Sequence, residues 1–333
     1  MSEPSKRFAR LEPLSSMEGL LFATTAIKFF STQDYFERCK LIGKEENGTI
    51  RPFSFSEFLK YIEITGLLER PHSYIHVLDN LLTRLVSEKI LTSIGFSGIP
   101  PYGNLYLFMK ELSTLENKSL LWLTPALGVG FLLDCFRDSI VHISGATEDG
   151  DVHGGTGLVI HPRWILTCAH VINGMILDNK QTISGIAVNV KNQLSHKTID
   201  VGIIEVDQDL PMISGLSFRE PAVLDTAITV GYPRVPQSRE ALLVLQRGEV
   251  TAPQMTNFSG QNLFLYSAIA RPGNSGGPIL SNSGHVLGIV SEDLSEQGQP
   301  LSSTFYAGVP SSQIVKALNE LNPDVSISVE DYS

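Results

Sequence analysis

Cysteine is scarce in this chain: 333 residues contain three, Cys39, Cys135 and Cys168, at unrelated spacings. A small odd set argues against a disulfide framework and fits a reducing compartment. Charge is sparse too, with charged residues at 18% against roughly 25% in an average globular protein. Hydrophobic residues reach 42%, enough for packed cores, which excludes wholesale disorder. A basic excess is missing. The formal net charge is −10; residues 1–118 balance fourteen Lys and Arg against fourteen Asp and Glu, so residues 119–333 carry the whole deficit. Neither part has the electrostatic footprint of a strong nucleic-acid binder.

Long apolar runs are lacking as well. The opening Met1-Ser2-Glu3-Pro4-Ser5 does not read as a secretory leader, and the stretch from Met17 to Phe30 is broken by Glu18 and Lys28. Residues 120–136 (LLWLTPALGVGFLLDCF) are almost wholly apolar but contain Pro125 and Asp134. They also fall short of the roughly 20 residues that a spanning helix needs. A buried connector over 119–136 is expected, and a cytoplasmic protein without membrane contact.

What is present falls into two textures. Residues 1–118 read as mainly helical. Ser54-Phe55-Ser56-Glu57 has the pattern of a capped helix start, and Leu67 to Ile90 carries helical periodicity through Ile75, Leu78, Leu81, Leu82, Leu85 and Val86. A turn-rich stretch and Leu105-Tyr106-Leu107-Phe108 follow. Short helices, a longer helix and a β-hairpin in that order resemble a winged helix. Asp79, Arg84, Glu88 and Lys89 nearly cancel on the last helix, which favours protein interaction or oligomerisation over DNA binding. From about residue 137 short Val- and Ile-rich runs alternate with Gly, Pro, Asn and Ser turns, the signature of an antiparallel barrel or sandwich. Residues 313–321 read as a closing helix, with 322–333 as a tail.

Three ordered motifs carry chemistry. Arg271-Pro272-Gly273-Asn274-Ser275-Gly276-Gly277-Pro278 sets one serine among glycines, which permit a tight turn close to a substrate carbonyl. Trp164-Ile165-Leu166-Thr167-Cys168-Ala169-His170 delivers an imidazole from the end of an apolar strand, and Asp200 opens the strand Val201-Gly202-Ile203-Ile204. A hydroxyl nucleophile, a base and an acid that orients the base are the needs of acyl transfer. Taken singly, each has an ordinary alternative: a turn, a structural histidine, an edge aspartate.

Together, in the order His, Asp, Ser, they resemble the chymotrypsin/trypsin superfamily, and most closely its HtrA/Deg branch. Gly154-Gly155-Thr156-Gly157, Gly231-Tyr232-Pro233, Gly248-Glu249-Val250, Gly288-Ile289-Val290-Ser291 and Ala307-Gly308-Val309-Pro310 stand in register with it. The resemblance covers about residues 137–321. It implies an α + β multi-domain chain whose second part is a pair of six-stranded antiparallel β-barrels. His170, Asp200 and Ser275 would be catalytic in the cleft between them, with the Gly273 and Ser275 N–H groups forming the oxyanion hole. Asn274 replaces the aspartate of digestive-type relatives, so activation by a new N-terminus is not expected; nor does Cys168 take a usual disulfide position. After Leu321 only 12 residues follow, leaving no room for the PDZ module usual in that branch. The primary pocket implied by the resemblance is bounded by Ile269, Ser291, Asp293 and Thr304.

The expected function is an intracellular serine endopeptidase acting on protein substrates, with residues 1–118 recruiting a regulatory protein. No cofactor is implied. His72 and His76 lie one helical turn apart but lack a third ligand, so no metal site is expected. The organisation also resembles bacterial trypsin-like effectors joined to adaptor domains in defence systems, by analogy alone. The rivals are a latent or non-catalytic peptide-binding protease fold and a DNA-binding regulator with an appended protease. Because Ile269 stands where trypsin has its aspartate and Thr304 replaces a glycine, cleavage after small to medium aliphatic residues is predicted. A peptide-library profile dominated by Arg or Lys would contradict it.

Overall fold

A computed structural model describes residues 13–45, 48–294 and 305–330, with backbone alone for Glu292–Leu294. The described residues form two compact units. One comprises the residues up to Ser113 together with Leu123–Phe131, and the other Thr114–Trp122 together with the residues from Leu132 onward. The stretch expected as a single connector is therefore shared between the units. Residues 114–122 join the second because Ser214 Oγ donates to Lys118 O at 2.6 Å and Gly284 packs against Leu121. Leu127 instead lies against Gly19 in the first. No helix among the described residues is long and apolar enough to cross a membrane.

In the first unit four helices, α1 (Ser16–Phe30), α2 (Tyr35–Ile42), α3 (Phe55–Ile64) and α4 (Ile75–Ser87), surround an aromatic core. The Ser54 capping box is present: its hydroxyl accepts from Glu57 N at 3.2 Å while Glu57 Oε2 accepts from Ser54 N at 2.7 Å. α4 starts later than the periodicity from Leu67 suggests. Arg70 takes a left-handed conformation (φ 53°) ahead of Pro71, and a 3₁₀ turn over Pro71–Tyr74 precedes the helix. Proline cannot supply the missing N–H bonds and disfavours helix in the residue before it. β1 (Phe53–Ser54), β2 (Thr92–Phe96) and β3 (Asn104–Leu107) form an antiparallel sheet in the order β1-β3-β2. The expected hairpin thus gains a third strand. Phe29 packs edge-on against Phe30 and tilted against Phe53, Phe58 and Tyr61, with ring centroids 4.5–5.4 Å apart.

The second unit is built from thirteen further strands. β4 (Ile140–Ala146), β5 (Val152–His161), β6 (Trp164–Thr167), β7 (Ile176–Leu177), β8 (Lys180–Ile183), β9 (Ile186–Ser195) and β10 (Gly202–Val206) form a sheet ordered β7-β4-β5-β6-β10-β9-β8. Where six strands were expected there are seven, curled upon themselves. The side-chain amide of Gln181 on β8 closes the curl: its Oε1 accepts from Ser144 N at 3.1 Å and its Nε2 donates to Ser144 O at 3.0 Å. A buried side chain here replaces the backbone ladder, satisfying both groups of one residue.

β11 (Thr226–Gly231), β12 (Val244–Thr256), β13 (Asn262–Tyr266), β14 (Pro278–Leu280), β15 (Val286–Leu294) and β16 (Phe305–Pro310) close into a six-stranded barrel ordered β11-β12-β13-β16-β15-β14. Phe264, Tyr266, Ile279, Leu287 and Val290 fill it. Closure leaves no free edge, so every strand is paired on both sides. The short helices α5 (Thr124–Leu127), α6 (Val129–Phe136) and α7 (Ala169–Asn173) punctuate the chain, and α8 (Ser311–Leu321) follows the last strand.

Phe29 is fully buried and touches four rings, so Phe29→Ala is expected to destabilise the helical unit by about 3–5 kcal/mol. Met17→Ala on the same helix, 70% exposed, should change it by less than about 0.5 kcal/mol. Urea denaturation of the two variants checks the pair.

Candidate active site

The strand register brings His170 and Asp200 together. Thr167, the last residue of β6, pairs with Gly202, the first of β10. The helix α7 that continues from β6 and the loop that precedes β10 are therefore neighbours at one end of the sheet. A side chain on Gly202 would approach Ile172 Cδ1 to 2.5 Å, so the glycine is what lets α7 sit against the strand.

The pair is doubly bonded. His170 Nδ1 and Asp200 Oδ2 are 2.8 Å apart, and the His170 backbone N–H donates to Asp200 Oδ1 at 3.0 Å. Ser291 Oγ donates to the same Oδ2 at 2.6 Å. The imidazole is half exposed whereas the Asp200 side chain is only 10% exposed. The carboxylate faces inward and the ring faces the solvent side.

Ser275 lies in the turn between β13 and β14. Gly276 N donates to Val290 O and Gly277 N to Asn274 O, which pins the turn to β15. The glycines are demanded by space. Gly273 has φ 99°, and a Cβ on it would meet Tyr232 O at 2.5 Å; at Gly276 (φ 82°) it would meet Thr167 Oγ1 at 2.2 Å. The Ser275 hydroxyl is 3.5 Å from Ser291 O. A cleft of about 760 Å³ is lined by His170, Asp200, Ser275, Ser291, Ala270 and Pro272, so the three residues singled out by sequence border one cleft.

Two carbonyls beside Ser275 point away from that cleft's donors. Pro272 O accepts from Arg234 N at 3.0 Å, and Asn274 O accepts from Gly277 N at 2.9 Å. In a trans peptide the N–H points opposite to the C=O. The N–H groups of Gly273 and Ser275 are thereby turned from the loop's own bonding, the geometry a nest of donors requires.

The expected pocket residues scatter. Ser291 lines the cleft, but its hydroxyl is spent on Asp200. Ile269 is 42% exposed and stands outside the cleft lining, to which its neighbour Ala270 contributes. Asp293 is described only as backbone paired with Tyr306, and Thr304 lies outside the described residues. Thr156, by contrast, was quoted only as part of a glycine block. It is fully buried; its hydroxyl donates to Gly273 O at 2.7 Å and accepts from Tyr232 N at 2.9 Å, while its N–H donates to Ser275 O at 2.9 Å. A polar residue between glycines in an otherwise apolar strand was the signal available. Cys39, Cys135 and Cys168 form no disulfide, and Cys168 Sγ donates to Val290 O at 3.1 Å.

Burial pushes the Asp200 pKa upward, but the His170 ring bond and charge, the Ser291 hydroxyl and the His170 N–H together outweigh it and bring it down to about 2. Since the folded value lies below the unfolded one of about 3.9, the stabilisation is present above that pH and lost as pH falls toward 2. Wild type and Asp200→Asn should therefore differ most in stability above about pH 4 and converge toward about pH 2. Urea denaturation across that range measures it; a gap that widens with acid would contradict the assignment.

A family model described as a trypsin-like peptidase domain matches residues 155–289. The serine protease Do-like HtrA of Lactobacillus helveticus is 29% identical over 163 residues, 47% of this chain and 39% of that protein. Its counterpart in Bacillus subtilis is 26% identical over 164 residues, 46% of this chain and 36% of that protein. The chain spans less than two fifths of the length of these relatives. Among solved structures, the active form of the Rv3671c protease from M. tuberculosis is similar at 21% identity and a TM-score of 0.47, over 60% of this chain and 86% of that one. The HtrA-type protease AlgW with a tripeptide aligns at 16% identity and a TM-score of 0.46, over 57% of this chain and 62% of that one. The matched segment runs from β5 of the curled sheet to β15 of the closed barrel; this part of the chain has a chymotrypsin-like fold and is similar to trypsin-like peptidase domains and to the HtrA/Do-like serine proteases.

Proposed function

We propose that the chain is a serine endopeptidase in which Ser275 attacks the peptide carbonyl, His170 carries the proton to the leaving amine and Asp200 holds the imidazole. The observation that carries this reading is the 2.8 Å His170–Asp200 bond in the cleft that Ser275 also lines. Asp200 fixes the tautomer: with Nδ1–H directed at the carboxylate, Nε2 is the basic nitrogen. The negative charge retained by Asp200 then stabilises the imidazolium formed when Ser275 is deprotonated.

The tetrahedral oxyanion is assigned to the Gly273 and Ser275 N–H groups. Their support is the tying of Pro272 O to Arg234 and of Asn274 O to Gly277, which holds both peptides in the donor-outward orientation before substrate arrives. Donors fixed in advance need no reorganisation as charge develops. The same bonds speak against a latent loop, since an inverted Pro272–Gly273 peptide would forfeit the Arg234 contact.

Three cysteines outside any disulfide, two of them buried, support an intracellular setting. Recruitment of a regulatory protein is assigned to the helical unit. Its hairpin exposes Ile94, Phe96 and Ile99 at 45%, 70% and 80%, an apolar surface of the kind that marks protein contacts.

A fluorescent fluorophosphonate is expected to label the wild type and neither Ser275→Ala nor His170→Ala. A folded wild type left unlabelled would reject the endopeptidase reading and leave a peptide-binding fold.

A further inference from the structure

The loop that presents Asp200 is folded around one imidazole. His196 Nδ1 lies 3.2 Å from Thr198 N and 2.9 Å from Ile199 N, both of which donate to it. The His196 backbone N–H in turn donates to Val201 O at 2.9 Å, closing the loop over its own side chain. The ring is only 8% exposed. With Nδ1 accepting, the proton must sit on Nε2, which donates to Glu320 Oε2 at 2.9 Å.

Glu320 is in an unexpected place. It sits in the last turn of α8, where the unpaired carbonyls of the helix end disfavour an anion and no basic residue shares the turn. The hydrogen bond to His196 across the gap and, after it, the charge of Lys316 one turn back offset that. α8 is itself fixed to the closed barrel, through the buried Ile314, Ala317 and Leu318 and through Ser311 Oγ, which is 2.9 Å from Arg219 O. His196 belongs to the other sheet, between β9 and β10.

We propose that His196, held by Glu320, is a positioning residue for Asp200. It fixes the Asp200 loop of the curled sheet to the terminal helix of the closed barrel, and so sets the acid–base pair relative to Ser275. The proposal rests on the endopeptidase reading for its catalytic consequence, though not for its geometry. A single hydrogen bond to an exposed carboxylate contributes only modestly by itself. What matters here is the buried side of the ring, which supplies the acceptor for two backbone donors next to the acid.

His196→Ala removes that acceptor and is expected to lower kcat on a peptide substrate about 10- to 100-fold, the range for small misplacements of catalytic groups. His196 is among the residues that line the cleft, but both its ring nitrogens are engaged, Nδ1 by Thr198 and Ile199 and Nε2 by Glu320, so KM should stay within about twofold. His196→Asn provides a carboxamide oxygen that accepts from N–H groups two and three residues on, as in an Asx turn, and should recover most of the loss. Glu320→Ala should cost less than His196→Ala, and Glu320→Gln, which still accepts from Nε2–H, less again.

A second readout is independent of turnover. In a Ser275→Ala background the downfield proton resonance of His170 Nδ1–H reports its bond to Asp200. It should shift or broaden on His196→Ala and return on His196→Asn. Unchanged kcat and an unchanged resonance in His196→Ala would overturn the proposal, as would a folded His196→Asn that recovers neither. If the wild type resists fluorophosphonate, the endopeptidase reading falls, and the resonance comparison still decides the strut.

Discussion

The hydroxyl of Thr156 joins the two barrels at the point where the site is built. It has one proton and lone pairs to spare, and the structure uses both capacities: it donates to Gly273 O and accepts from Tyr232 N. The same residue's N–H reaches Ser275 O and its carbonyl accepts from Thr167 Oγ1 at 2.8 Å. One residue of β5 thus touches the serine turn, the start of the second barrel's β11–β12 connection and the strand leading to His170. Because it is fully buried, no water can replace a lost partner. The Gly273–Asn274 peptide is consequently held from both sides, its carbonyl by Thr156 of the first barrel and its N–H by Arg271 O within the turn at 2.9 Å.

That arrangement explains the glycine density around the site. Two barrels can exchange hydrogen bonds through their backbones only where side chains do not hold them apart. At Gly276 a Cβ would collide with Thr167 Oγ1 and Thr156 O, and at Gly277 with Val230 O at 2.3 Å. Proximity and conformational freedom are therefore separate requirements met by neighbouring glycines: positive φ at Gly273 and Gly276, close approach alone at Gly277.

Much of this was legible in the sequence, for a physical reason. Strand alternation, a glycine-bracketed serine and an aspartate opening a buried strand are local patterns, and the His, Asp and Ser motifs each stand within such a pattern. The helical unit was legible where caps are local, as at Ser54 and Glu57, and misjudged where one residue interrupts a periodic run, as Pro71 does before α4. What could not be seen were side chains acting at long range. Gln181 closes the first sheet on Ser144, 37 positions away, and Thr156 bonds Gly273, 117 positions away. Neither type is distinctive, and nothing in a linear pattern pairs them. Ser291 was recognised as lining the site, yet its hydroxyl serves Asp200.

Asp200 shows why such remote partners accumulate around one group. Withdrawing a carboxylate from water is costly, and burial on its own would neutralise it. A neutral acid would neither fix the tautomer of His170 nor stabilise its cation. Three donors, the His170 ring, the His170 N–H and the Ser291 hydroxyl, replace the lost water and reverse the shift. They come from α7 and from β15, that is, from both barrels. The part of the Asp200 charge stabilisation that comes from Ser291 therefore depends on the register of the barrels, which makes any strut between them, and the loop around His196 in particular, part of the electrostatics of the site rather than of its surface.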